Sequence, residues 1–186
     1  MPPKVKVTKE SIVNAAVALV REKGSDAINA RTLATQLGCS TQPIFSNFAT
    51  MEELRRAVVE EADKLCRIYI RREVESEKYP PYKASGMAYI RFAKEEKELF
   101  KLLYMRDRTE ENEPDESLVN NEMEDIVHQN TGLDGLQVKL FHLEMWAYVH
   151  GIATMYATGF LNLEWELVSN MLTDVYQGLR KQYGME

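Results

Sequence analysis

The stretch that decides the fold is NARTLATQLGCSTQPIFSNFATMEEL, residues 29–54. It contains two short segments with helical periodicity, ARTLATQL (30–37) and TQPIFSNF (41–48), and the turn between them contains Gly38. Asn29 is a favourable residue to begin the first of these helices, and Gly38 is a favourable residue to end it. Two short helices joined by such a turn, directly after a longer helix, are typical of a helix-turn-helix unit.

Helical periodicity continues in both directions from this stretch. Thr8 is predicted to begin the first helix, and the T-x-x-E pattern at 50–53 is predicted to begin a long fourth helix. Beyond the proline-containing break at 78–83, apolar residues recur at helical spacing, except in the acidic stretch 106–117, which predicts a loop. No segment alternates apolar and polar residues as a half-buried strand would. The predicted fold class is therefore all-α.

We predict two domains in this all-α chain. Residues 1–50 form a three-helix head that contains the helix-turn-helix, and residues 51–186 form a helical-bundle body. The distribution of charge supports the division. The head has six Lys and Arg residues and three Asp and Glu residues, a net charge of +3, whereas the rest of the chain has a net charge of −9; the total is −6. A basic head on an acidic body is expected to approach a polyanion with the head alone.

Composition excludes several other classes of protein. With 45% apolar and 28% charged residues, the chain has the composition of a globular protein. The apolar run GIATMYATGFL, residues 151–161, is about half the length of a membrane-spanning helix. The N-terminal residues contain no apolar signal segment, and two cysteines, Cys39 and Cys66, suit a reducing compartment. We expect a cytoplasmic, nucleoid-associated protein that has no membrane partner.

The second short helix of the helix-turn-helix has two different sides. Spacing i, i+1, i+4 predicts that Ile44, Phe45 and Phe48 anchor it on the head. Its other side carries short, uncharged hydrogen-bonding residues, and Gln and Asn side chains can pair with adenine edges in the major groove. These residues are Thr41, Gln42, Ser46 and Asn47.

The same stretch resembles the DNA-binding head of TetR-type transcriptional regulators. The resemblance covers the cap, the short helix, the Gly-apolar-Ser turn, the recognition helix with its aromatic pattern, and E-E-L at the start of the fourth helix. The segments YIRFAKEEKELFKLLY (89–104) and MWAYVHG (145–151) resemble the body of the WHG-type branch of that family. The resemblance implies a ligand-responsive regulator, a repressor, that binds a palindromic double-stranded DNA operator as a homodimer.

The resemblance also implies roles for individual residues of the head. Asn29 and Arg31 would touch phosphates, and Lys4 or Lys6 could reach the neighbouring backbone. The residues implied to face bases are Thr41, Gln42, Pro43, Ser46 and Asn47. The chain departs from the family pattern at Phe45, Met51 and Thr35, where family members often have Tyr, Lys and a basic residue.

A stripe of small residues on the helix predicted at 136–160 indicates close helix packing. Its members, Ala147, Gly151, Thr154 and Thr158, recur at i, i+4, i+7, i+11. As the resemblance implies, we expect this stripe and the last helix to pair with their two-fold mates in a homodimer. The last helix would contribute Val168, Met171, Leu172 and Val175. Tight packing inside one protomer is the alternative.

Aromatic and Met residues of the body predict an effector pocket, since ligand sites are mostly apolar with few polar groups. No Arg or Lys falls predictably among them, so an apolar or weakly polar effector is expected. Core packing without a cavity is the alternative. The candidate lining residues are Tyr69, Met87, Tyr89, Phe92, Phe100, Tyr104, Met123, Ile126, Trp146 and His150.

The sequence does not support an enzymatic function. His128, His142 and His150 lack partners at metal-ligand spacing, and no phosphate-binding or nucleophile motif is present. We therefore predict a protein that is not an enzyme and has no cofactor and no metal site. Two alternatives stay open: a dimeric ligand-binding or protein-interaction module with weak or non-specific DNA binding, and a DNA-binding protein without an effector.

Overall fold

A computed structural model of the chain describes residues 7–107 and 121–185. This part of the chain is helical and contains no strand, which confirms the predicted fold class. Lys4, Lys6 and most of the predicted loop 106–117 lie outside the described residues. The helices are α1 (Lys9–Lys23), α2 (Ala30–Gln36), α3 (Gln42–Asn47), α4 (Met51–Glu75), α5 (Pro81–Glu95), α6 (Lys97–Tyr104), α7 (Asn121–Thr131), α8 (Leu136–Thr158) and α9 (Trp165–Gln182).

The chain divides into two compact units that are not contiguous in sequence. The first unit extends to Cys66 and includes Glu96–Arg106, and the second contains Arg67–Glu95 and the rest of the chain. This division differs from the boundary that we predict after residue 50. The reason is that α6 packs on α1 and that Arg21 makes two hydrogen bonds of 2.7 Å to the Glu96 carboxylate. Such a long-range pairing leaves no trace in local periodicity.

The first unit is built on the apolar face of α1. A capping box between Thr8 and Ser11 begins this helix, and Gly24 ends it with an N–H bond to the Val20 carbonyl. The predicted inward residues of α1, spaced i, i+4, i+7, i+8, are all buried, which confirms this face; they are Ile12, Ala16, Leu19 and Val20. Leu33 from α2 is also fully buried.

The second unit is organised around the pairing of α5 with α8. Pro81 is the first residue of α5, a position where a missing N–H costs little. The preceding helix α4 ends earlier, at Glu75, and Glu77 beyond it has a φ of +54°. Gly86 lets neighbours approach closely, because a Cβ there would lie 3.2 Å from Leu172 and 3.3 Å from Val149. None of the described helices is long and apolar enough to span a membrane.

Candidate functional site

The turn between α2 and α3 fixes the direction in which α3 leaves the first unit. Gly38 has a φ of +64°, a conformation that favours glycine. The Cys39 N–H donates to the Ala34 carbonyl at 2.9 Å, and the Gly38 N–H donates to the Thr35 carbonyl at 3.2 Å. This pair of bonds is a Schellman motif, which satisfies the last carbonyls of α2 and sets the entry to α3.

Two residues, rather than the three predicted, anchor α3. Ile44 is fully buried and Phe48 is 1% exposed, whereas Phe45 is 51% exposed. The prediction that Phe45 is an anchor is therefore wrong. Residues i and i+4 of a helix lie on one face, but residue i+1 is rotated by about 100°, and a six-residue helix on a small core buries only a narrow face.

The predicted base-facing residues form a partly exposed side of α3. Gln42 and Ser46 are exposed, and Thr41, Pro43 and Asn47 are half-buried. The Ser46 hydroxyl donates to the Gln42 carbonyl at 2.9 Å, and Asn47 Nδ2 donates to the Pro43 carbonyl at 2.8 Å. Both side chains therefore use a donor within α3 and keep oxygen lone pairs that can accept hydrogen bonds from outside.

The predicted phosphate-contacting residues lie at the start of α2. The Asn29 Oδ1 atom accepts hydrogen bonds from the Thr32 N–H and hydroxyl, both at 3.0 Å, so this side chain is engaged as the helix cap. Arg31, in the first turn, is exposed. The structure thus leaves the Arg31 guanidinium at the surface of the first unit, next to the beginning of a helix.

Lys9 joins three elements of the first unit, a role that the sequence does not predict. Its ammonium group lies 3.2 Å from the Glu53 carboxylate and 4.8 Å from the centroid of the Phe48 ring. The Glu53 carboxylate also accepts a bond from the Ala49 N–H at 2.8 Å. That backbone bond, together with Lys9, lowers the pKa of Glu53. The Thr50 hydroxyl accepts from the Glu53 N–H at 3.1 Å, which confirms the predicted start of α4.

In the second unit, α5 and α8 are joined by two Tyr–His hydrogen bonds. The Tyr82 hydroxyl lies 3.0 Å from His142 Nδ1, and the Tyr89 hydroxyl lies 2.9 Å from His150 Nδ1. The Trp146 ring stacks on His150 with centroids 4.8 Å apart. Burial lowers the pKa of both histidines, although Glu124 opposes the effect at His142. The neutral imidazoles therefore act as polar groups inside a largely apolar interior.

The structure brings together only part of the predicted pocket lining. Tyr89, Trp146 and His150 form one cluster, and Tyr69 packs edge-on against Phe92 with centroids 5.5 Å apart. The remaining predicted residues are distributed differently. Met87 is fully buried, Met123 and Ile126 are half-buried, and Phe100 and Tyr104 belong to the first unit, where their ring centroids are 5.0 Å apart.

Two cationic side chains of α5 lie over aromatic rings. Residue spacing alone does not predict these contacts. Arg91 lies 3.4 Å from the Glu73 carboxylate and 4.6 Å from the centroid of the Trp165 ring. Lys94 lies 5.2 Å from the centroid of the Tyr156 ring. Stacking on rings and pairing with Glu73 hold these charges at defined positions in the second unit.

The predicted small-residue stripe of α8 lies on the side of the helix that faces away from its own unit. Ala147 and Thr158 are exposed, and Gly151 and Thr154 are half-buried. Towards the start of α8 the same side carries exposed leucines that are outside the predicted stripe, although they follow the same i, i+4, i+7 spacing. These leucines, with their exposed fractions, are Leu136 (70%), Leu140 (42%) and Leu143 (45%).

The last helix contributes less to this outward surface than predicted. Val168 and Leu172 are 0% and 3% exposed, because they pack inside their own unit. Only Met171 and Val175 of the predicted set remain partly accessible. An apolar depression of about 330 Å³ lies beside the stripe, and its lining residues are Ala147, Tyr148, Gly151, Ile152, Met155, Leu161, Leu163 and Met171.

Comparison with known proteins gives a consistent picture. Residues 82–175, half of the chain, match the family described as "Tetracyclin repressor-like, C-terminal domain". A stretch of 53 residues is 38% identical to an uncharacterized HTH-type transcriptional regulator of Mycobacterium tuberculosis. This match covers 28% of the chain and 24% of that relative, so the chain spans about a quarter of the relative's length.

Among the solved structures that share the fold, two cover most of the chain. One, from Rhodococcus sp. RHA1, is described as a protein with unknown function; it has a TM-score of 0.71 and 21% identity, and the match covers 94% of this chain and 95% of that chain. The other is the multidrug binding protein EbrR complexed with imidazole, with a TM-score of 0.58 and 17% identity over 89% of this chain and 88% of that one.

Proposed function

The chain belongs to the tetracyclin repressor-like (TetR) family of transcriptional regulators, and we propose that it is a repressor that binds a palindromic DNA operator as a homodimer. A small apolar or weakly polar effector bound by the body would release it from the operator. The family is a regulatory, non-enzymatic one. We expect the protein to act at the nucleoid in the cytoplasm, where such an operator would be found.

The observation that best supports DNA binding is the way in which α3 is held on the first unit. Ile44 and Phe48 hold one face of this helix in the core, while Gln42 and Ser46 remain exposed on another. A recognition helix needs this division, because it must be held rigidly on one side and present hydrogen-bonding groups to base edges on the other. Arg31 supplies a charge for a phosphate contact that fixes register.

Homodimerisation is supported by the outward side of α8. Exposed leucines at its beginning and small residues further along lie on the same side of the helix, and two of the small residues, Ala147 and Gly151, also line the depression described above. Such a surface favours association, since monomeric proteins rarely leave extended apolar patches in water. A second copy of the chain is the proposed occupant, because a helix-turn-helix protein that reads a palindrome is itself two-fold symmetric.

Effector binding is supported by the cluster of Tyr89, Trp146 and His150. It offers aromatic surface together with a hydroxyl and an imidazole that are already oriented by their mutual hydrogen bond. A ligand that competes for one of these groups would alter the pairing of α5 with α8. The effector then shifts the population towards an arrangement with lower affinity for the operator, as differential binding requires.

The experiment that tests this proposal is a selection of bound fragments from random or genomic DNA with the purified protein. It is carried out at about 50 and 200 mM salt, a range over which phosphate contacts change affinity strongly. The expected result is a two-fold symmetric consensus with half-sites about one helical turn apart. Enrichment without a consensus, lost at the higher salt, would contradict specific recognition.

That second outcome would favour a different function, a dimeric ligand-binding or protein-interaction module. One observation speaks for it: Arg31 is the one charged residue between positions 29 and 50 of the sequence. Non-specific DNA binding depends on the number of neutralised phosphates, so a head with few cations is expected to show low affinity and a shallow salt dependence. Thermal shifts against a panel of apolar compounds would then identify the body's ligand.

A further inference from the structure

We propose that Lys9 is a positioning residue for α3: its ammonium group holds the end of this helix in place through Glu53 and Phe48, and it is not a phosphate contact. The inference rests on the proposed DNA-binding function and deepens it. Lys9 is the first residue of α1. A positive charge there opposes the partial positive charge of the helix N-terminus, so contacts elsewhere must offset the cost.

These contacts connect three elements of the first unit. The Lys9 Nζ atom lies 3.2 Å from Oε1 of Glu53 and 4.8 Å from the centroid of the Phe48 ring. Phe48 directly follows α3, and its N–H donates a hydrogen bond back to the Ile44 carbonyl at 2.9 Å, which closes that helix. Glu53 lies in the first turn of α4. One cation therefore links the start of α1, the end of α3 and the start of α4.

The carboxylate that pairs with Lys9 is already held in place by backbone bonds. Oε2 of Glu53 accepts a hydrogen bond from the Ala49 N–H at 2.8 Å, and the Glu53 N–H donates to the Thr50 hydroxyl at 3.1 Å. An ordinary surface ion pair gains little, because two mobile side chains must be ordered to form it. Here one partner is ordered beforehand, and Ala49 is the residue next to Phe48. The ion pair therefore acts on the connection between α3 and α4.

The ion pairs divide the cations of the head into two groups. Of the four that lie in the described residues, Lys9, Arg21 and Lys23 each have a carboxylate oxygen within 3.5 Å. Arg31 is outside these pairs and is exposed. Lys9 and Glu53 together carry no net charge, whereas counterion release depends on cations that neutralise phosphates. We therefore expect Lys9 to contribute to operator affinity through geometry, and Arg31 through charge.

The test uses the full chain and the operator obtained from the selection. Glu53→Gln removes the charge that pairs with Lys9 but keeps a side-chain oxygen that can accept the Ala49 N–H bond. Affinity is expected to fall about fivefold for the dimer, although each protomer has one negative charge fewer. If Lys9 were a phosphate contact, the same change would release its ammonium group and raise the affinity. Lys9→Met, which keeps an apolar chain over Phe48, should give a similar loss with an unchanged salt slope.

Two further variants make the outcome decisive. Lys9→Met combined with Glu53→Gln should lose no more than either single variant, because both changes break one interaction, and Lys9→Arg should retain binding. Higher affinity for Glu53→Gln, a salt slope reduced by about one per protomer for Lys9→Met, additive losses, or unchanged affinity in both single variants would overturn the inference while the operator is still bound. If the selection gives no consensus, the proposed function itself fails and the inference fails with it. Thermal unfolding of each variant verifies that the first unit stays folded.

Discussion

The outward sides of α3 and α8 differ in polarity, and each suits a different kind of recognition. The six-residue α3 is held by Ile44 and Phe48 and presents mainly polar groups, with the ring of Phe45 among them. The 23-residue α8 buries one side in its own unit and presents leucines and small residues on the other. The first surface offers directional hydrogen bonds, which distinguish bases, and the second offers apolar area, which drives association.

The difference has a cause in helix length. A six-residue helix is not stable on its own, so α3 depends on the packing of two well-buried side chains and on the Schellman motif before it. A helix of more than six turns can be anchored along one side and still leave a second side free to pack against another helix.

The largest expected effect comes from removing an anchor of α3. Phe48→Ala deletes a buried ring and is expected to lower the free energy of unfolding of the first unit by about 3–5 kcal/mol, with loss of operator binding. Urea unfolding followed by circular dichroism measures the change. Phe45→Ala is the matched control, since the same deletion at the exposed ring should change stability by less than about 0.5 kcal/mol. Equal losses in the two variants would remove the distinction between the buried anchor and the exposed ring.

The next effect tests the outward side of α8. Leu143→Asp places a charge in the proposed apolar interface and is expected to weaken self-association by at least about 100-fold, because a buried charge without a partner costs several kcal/mol. Analytical ultracentrifugation measures the association. Met105→Asp is the matched control, as Met105 is 44% exposed and Leu143 45%. A wild-type protein that is already monomeric at micromolar concentration would contradict the assignment of this surface.

A smaller effect separates base reading from phosphate contact within the head. Gln42→Ala should cost about 1–3 kcal/mol of binding free energy and relax specificity at one base position per half-site. Arg31→Ala should instead weaken binding to all sequences alike and reduce the salt slope by about one per contact. Binding isotherms on operator variants at several salt concentrations distinguish the two. A uniform loss for Gln42→Ala would show that it positions the helix and reads no base.

The smallest effect concerns His142 and His150, the two histidines of α8 that bond to tyrosines of α5. Their pKa values lie below the ordinary value of about 6.5, so the unfolded chain takes up protons there more readily than the folded chain. Stability is therefore full above about pH 7 and falls as the pH drops through 6.5, with a midpoint lowered by a few degrees at pH 5.5. Thermal melts measure this. The double variant His142→Gln, His150→Gln should flatten the dependence, and an unchanged dependence in that variant would contradict the assignment.

Local sequence rules predicted most of the helices and the inward face of α1. Thr8, Asn29 and Thr50 begin helices as their side chains suggest, since a capping bond involves residues only three apart. The same rules do not place Phe45, because periodicity in a six-residue helix leaves the edges of the buried face undefined. The Tyr–His bonds between α5 and α8 span about 60 residues, and no local pattern predicts such a pairing.

The pair of hydrogen bonds between Arg21 and Glu96 has a consequence for protein engineering. Because α6 belongs to the first unit, a chimera that joins residues 1–50 of this chain to the body of a relative would leave behind a helix on which α1 packs. The transplanted head would meet a foreign α6 with its own charges and side-chain volumes. A graft that carries residues 1–66 together with residues 96–106, so that Glu96 faces Arg21, transfers the whole unit and with it the surface proposed to read the operator.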